Sequence, residues 1–199
     1  MTTVGMMSKR CAVCEAEAEY HVVYSCSTGG CMMDTRPIFL GDDPMRYIDR
    51  CKCGYVASDI SEETTVTKKD LEMPEYQRII MDDTLANRYA AIAFLRSLKG
   101  MHKQSAYAYL RAAWMADDEN DGAVAADMRR KFLEEISKVK CKVEDVMVKA
   151  DVLRRLGMFE QAEEAVSLAQ KMSKDKTLVY VMEKEKKLIL AENTHREVC

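Results

Sequence analysis

From Pro74 to about Asn193, apolar residues recur at the i, i+3/i+4, i+7 spacing that lines one face of a helix. The pattern predicts six helical segments, at about 75–99, 102–117, 121–138, 143–156, 159–172 and 175–192. Ala106/Leu110/Ala113, Ala125/Met128/Phe132 and Val146/Ala150/Leu153 illustrate the stripe. Pro74 suits a first helical turn, where its missing N–H would have had no partner. Gly100 and Gly157 stand where a C-terminal cap needs positive φ. Connections this short force neighbouring helices to run antiparallel. Residues 1–60 follow a different pattern. Tyr20–Cys26 and Arg46–Ile48 read as strands, bounded by the turn sequences STGG and GDDP, with CMMDTRPIFLGDDP between them read as loop. Residues 61–73, SEETTVTKKDLEM, form a polar linker or helix lead-in. The expected organisation is therefore mainly α: a small β region at 1–60, a link at 61–73 and an antiparallel array of about six helices at 74–199.

Composition narrows the function classes. Charged residues make up 32% and hydrophobic ones 48% of the 199, and only 8 glycines and 3 prolines argue against a β-sandwich. No run of about 18 apolar residues is present, and MTTVGMMSKRCAVC lacks the apolar centre of a signal peptide. A cytoplasmic location is the expectation. The net charge of -3 comes without a basic stripe. Around residues 36–52, Arg36, Arg46, Arg50 and Lys52 are opposed by Asp34, Asp42, Asp43 and Asp49, which lowers a nucleic-acid reading.

The cysteines carry the clearest chemistry. Six of the eight (Cys11, Cys14, Cys26, Cys31, Cys51 and Cys53) fall within the first 53 residues, while Cys141 and Cys199 stand apart. Without an export signal such residues point to thiols or metal ligands rather than disulfides. Cys11-Ala-Val-Cys14 is a CxxC, a spacing that lets two thiolates wrap one ion from a tight turn. RCKCGYVA supplies a partner knuckle, with Gly54 and Tyr55 after the second cysteine. The expected site is structural Zn²⁺ on Cys11, Cys14, Cys51 and Cys53. Two departures leave the fourth ligand open: the second pair is CxC, and Glu15 stands where a glycine would follow Cys14. Cys26 or Cys31 is the alternative to Cys51. A thioredoxin-like use of the CxxC is disfavoured because a strand, not a helix, follows it.

Asp34, Arg36 and Asp59 are candidate loop anchors or ligand contacts. The anchoring reading pairs Arg36 with Asp59 or Asp34 and lets Asp59 cap a turn. His21, His102 and His195 show no HxxxH or HExxH spacing, and no GxGxxG, GxxxxGK[ST] or GxSxG is present. No residue is therefore assigned a catalytic role.

The segment VMVKADVLRRLGMFEQAEEAVSLAQKM resembles a tetratricopeptide repeat, with Ala150 at the small position of the first helix, Gly157 at the turn, and Phe159, Ala162, Val166 and Ala169 packing the second. Lys149 and Lys174 depart from the repeat pattern, and AIAFLRSLKGMHKQSAYAYLRAAWMADD is a weaker echo. Together, CAVC, DTRP and CGYVASDIS followed by helical repeats resemble an uncharacterised prokaryotic family. In that family an N-terminal zinc ribbon precedes tetratricopeptide-like helices. Its second knuckle usually reads CPxCGY, so this chain is one residue shorter there. The resemblance implies an architecture: a zinc-ribbon-like region followed by a tetratricopeptide-like array. The function expected is a non-catalytic adaptor or scaffold that recognises a protein or peptide through its helices. The alternative is a nucleic-acid-associated ribbon, and below that an enzyme with a site between ribbon and helices.

Overall fold

The computed structural model describes residues 2–199, which fold mainly as α-helix with small antiparallel sheets towards the N-terminus. In chain order the elements are β1 (Thr3–Arg10), β2 (Glu17–Ser25), β3 (Thr28–Cys31), β4 (Pro37–Phe39), a 3-10 turn at Pro44–Arg46, β5 (Asp49–Arg50) and β6 (Val56–Ala57). The helices follow: α1 (Lys68–Leu71), α2 (Pro74–Ile80), α3 (Leu85–Leu98), α4 (His102–Asp118), α5 (Gly122–Ile136), α6 (Val143–Arg155), α7 (Phe159–Met172) and α8 (Lys176–Leu190). They belong to two compact units, one of residues 1–27 and 40–138, the other of residues 28–39 and 139–199. The β3/β4 hairpin thus associates with the last three helices.

In the first unit β1 and β2 pair from Val4↔Val23 to Arg10↔Glu17, and β5 pairs with β6 at Asp49↔Ala57 and Arg50↔Val56. Three buried or half-buried side chains tie this β region to helices. The Tyr76 hydroxyl on α2 donates to the Gly54 carbonyl (2.8 Å), the Tyr89 hydroxyl on α3 to Met45 (2.8 Å), and Arg88 to Ile48 (2.5 Å). α3, α4 and α5 then stack through small residues. Ala91, Ala93, Ala106, Ala112, Ala113 and Ala125 are wholly inaccessible, which lets the backbones approach, and Phe132 fills the remaining space.

The expected helix at 75–99 is in fact two. Thr84 accepts the Asn87 N–H and starts α3 afresh, so Met81–Asp83 cannot continue α2. Within 61–73 a reciprocal cap between Thr67 and Asp70 starts the additional α1. The strand expected at Arg46–Ile48 is corrected to the end of a 3-10 turn, set by Pro44 at its first position and by Asp43, which accepts the Met45 N–H (2.8 Å). Pro37–Phe39, expected as loop, is a strand paired with β3.

In the second unit α6, α7 and α8 pack around Ala150, Val152, Ala162, Val166, Ala169 and Met182, all with no exposure. Arg154, equally buried, donates to Glu185 Oε1 (2.8 Å), to Asp151, and to the carbonyls of Asn193 and His195, fastening the chain beyond α8. That segment also pairs with the chain just after β3, through a Met32↔Val198 bridge and a Met33 N–H to Glu197 bond (2.9 Å).

One turn recurs in both units. Gly100 (φ 74) donates to Ser97 while Met101 donates to Arg96; Gly157 (φ 73) donates to Arg154 while Met158 donates to Leu153. Each is a left-handed cap that satisfies two carbonyls at a helix end. The α3–α4 and α6–α7 hairpins thus reverse direction in the same way.

Candidate metal centre

Two short turns build the site. In the first, β1 is followed by Cys11, whose N–H donates to Ala16 (2.9 Å) and whose carbonyl accepts from Glu15 (2.8 Å). In the second, the Cys51 N–H donates to Tyr55 (2.8 Å) and its carbonyl accepts from Gly54 (2.8 Å). The second turn repeats the first with one residue fewer, which is the structural meaning of CxC against CxxC. Both reverse through positive φ, at Glu15 (63°) and Gly54 (90°). The first turn therefore carries a glutamate in a conformation that favours glycine. Ala12 donates to the carbonyl of Ile60 (2.9 Å), tying the first turn to the chain that follows β6.

The result is four sulfurs, of Cys11, Cys14, Cys51 and Cys53, all within 4.8 Å of one another. The Cys11–Cys53 separation is 3.9 Å and the Cys14–Cys51 separation 3.6 Å. A tetrahedral zinc with bonds of about 2.3 Å requires sulfur–sulfur edges of about 3.8 Å, whereas a disulfide requires about 2.05 Å. The spacing fits one shared ion. Cys11 and Cys51 are buried and Cys14 and Cys53 half-buried, so the site is closed.

Burial and the neighbouring sulfurs perturb three of the four thiols. Burial raises the Cys11 and Cys53 thiols, and neighbouring cysteines add to it. Burial also opposes ionisation of Cys51, but hydrogen bonds from Tyr20, the Cys53 backbone and the other cysteines bring it down to about 7. A divalent cation would favour loss of the remaining protons, as thiolate ligation requires.

The sequence candidates divide between the units. Cys26 is exposed beyond β2, and Cys31 lies beside Cys199 in the second unit. Asp59 accepts from the Ser61 N–H (2.9 Å) and hydroxyl (2.7 Å) and pairs with Lys9 (2.8 Å). Burial works against its charge, yet Lys9 and Ser61 hold it at about 2. Asp34 is buried, accepts the Arg36 N–H (3.2 Å) and lies 3.8 Å from Arg155, where α6 ends; Arg36 is buried too. The two flank Thr35, whose backbone stands at φ 69. His21 is matched to Asp49 (2.8 Å) and stands apart from the sulfurs. Sequence reasoning missed Tyr20, Tyr76 and Lys9, since each reaches the site only through tertiary folding. A recess of about 280 Å³ opens beside the second turn, lined among others by Tyr55, Thr64, Ile92, Leu95, Arg96 and Met101. Burial, then the nearby Arg111, lowers the Arg96 pKa.

No protein-family model, curated protein or solved structure matches this chain. The functional reading rests on its own residues. Among the described residues no helix is long and apolar enough to cross a membrane.

Proposed function

We propose that the protein is a non-catalytic adaptor: a structural zinc ribbon on Cys11, Cys14, Cys51 and Cys53, joined to tetratricopeptide-like hairpins that recognise a protein or peptide segment. The observation that carries this reading is the closed sulfur site at zinc spacing, a form suited to holding structure because no coordination position is left for substrate. Zinc on Cys51 and Cys53 would brace the turn whose Gly54 carbonyl accepts from Tyr76 of α2, and so would fix the surface formed with the helices. The α3–α4 and α6–α7 hairpins, each reversing at a glycine, are the units such a repeat would use, although the same cap also ends α4 at Asn120 and α8 at Glu192; repeat hairpins serve as binding scaffolds. On this view the recess at Ile92, Leu95, Arg96 and Met101 receives the partner segment. A peptide display library selected against the zinc-loaded full chain tests it. The expectation is a convergent sequence that protects α3 and α4 amides from exchange and binds about ten-fold more weakly to Arg96→Ala. Failure to select any convergent peptide, with no amide protected, would remove the adaptor reading.

A further inference from the structure

Cys31 and Cys199, far apart in sequence, have their sulfurs 2.7 Å apart. The Cys199 N–H donates to the Cys31 carbonyl (3.0 Å), and the adjoining Met32↔Val198 bridge fixes the two backbones. Magnitude decides what this contact is for. Two thiolates sharing a tetrahedral zinc stand about 3.8 Å apart, as the sulfurs at 3.6 and 3.9 Å in the first unit do. At 2.7 Å the pair is too close for a shared ion and needs only a small movement to reach a sulfur–sulfur bond of about 2.05 Å. Cys31 is half-buried and Cys199 exposed, so a reagent can reach them.

We propose that Cys31 and Cys199 form a thiol–disulfide exchange site whose co-substrate is a disulfide-bearing molecule. The Cys31 thiolate attacks one sulfur of the co-substrate, a mixed disulfide forms, and the other half leaves as a thiolate with the bonding electrons. Cys199 gives its proton to solvent and attacks the Cys31 sulfur, expelling the second half. Two thiols are oxidised, one disulfide is reduced to two thiols or thiolates, and the protons are conserved between them and solvent. The order follows from the local bonding. The Cys199 thiol donates to the Met32 carbonyl (2.8 Å), and partial burial, followed by its bond to Cys31, pushes it up to about 12. With the Cys199 thiol engaged by the Met32 carbonyl, Cys31 is assigned the first attack. The product fastens to β3 a segment that Arg154 already holds at Asn193 and His195.

The test incubates the reduced, zinc-loaded full chain with oxidised glutathione, followed by peptide mapping without reductant. Wild type should give a Cys31–Cys199 cross-link, lighter by two hydrogens, reversed by dithiothreitol and formed with zinc retained. Cys199→Ser should instead leave glutathione on Cys31, accumulating about ten-fold more mixed disulfide than wild type, because the intramolecular step is lost. Persistent adducts on both residues without a cross-link would overturn the proposal. So would cross-linking of Cys199 to Cys26 or Cys141 to an equal extent.

Discussion

Replacing Arg154 with methionine isolates the electrostatic centre of the second unit. Arg154 and Glu185 have no solvent exposure and Asp151 1%, so no water replaces a lost partner. The guanidinium bonds both carboxylates and two carbonyls. Removing one partner of such a buried group costs about 3–5 kcal/mol, a large part of a typical 5–15 kcal/mol stability. The loss should depend on pH. Burial, reinforced by Asp34 at Asp151 and by Asp151 at Glu185, raises Asp151 to about 6 and Glu185 to about 7, with Arg154 pulling both the other way. A carboxyl raised above its unfolded value adds stability below that value and loses it as pH rises through the folded one. In wild type this contribution therefore falls between about pH 4 and pH 7. Without Arg154 both carboxyls rise further, and the fall steepens and extends upward. Arg154→Met should cost about 3–5 kcal/mol near pH 8. Near pH 5, where neutral carboxyls leave mainly lost hydrogen bonds, it should cost about 1–2 kcal/mol. The single tryptophan, Trp114, lies in the first unit. The assay is therefore amide exchange along a urea series, read on α6 and α8 with α4 as internal reference. An equal loss at both pH values, or less than about 1 kcal/mol near pH 8, would refute the reasoning.

Three further substitutions probe the turns and the ribbon–helix tie. Glu15→Gly relieves a non-glycine residue at φ 63 and should stabilise the zinc-loaded first unit by about 0.5–1 kcal/mol, read as a higher urea midpoint. Tyr76→Phe leaves the Gly54 carbonyl without its 2.8 Å donor in a buried site; it should cost about 1–3 kcal/mol while the chain still binds zinc, checked by denaturation and metal content. Gly157→Ala has open space for a methyl group but must hold φ 73, so about 1 kcal/mol should be lost, with exchange rising at the α6–α7 turn.

Legibility followed how local each determinant is. α4 and α7 stand almost where periodicity placed them, at His102–Asp118 and Phe159–Met172, because stripes and left-handed caps are short-range signals. β1 escaped because a two-stranded ribbon buries little on either face, so Met6 and Met7 stay exposed and no alternation marks it. Within the metal centre, CxxC and CxC could be read from spacing, and Gly54 announced a turn. The ties that orient them could not: Tyr76 acts across 22 residues, and Lys9 meets Asp59 only after the chain returns. Nothing local in the sequence marks Arg154, since its partner Glu185 lies 31 residues on.

The central claim is that four sulfurs share one structural ion. X-ray absorption at the zinc edge, combined with metal content per chain, tests it most directly. The account predicts one zinc per chain in a shell of four sulfurs at about 2.3 Å, lost with chelator together with the order of the first unit's β region. A metal-free chain with that region fully ordered, or a zinc shell in which nitrogen or oxygen replaces sulfur, would contradict it.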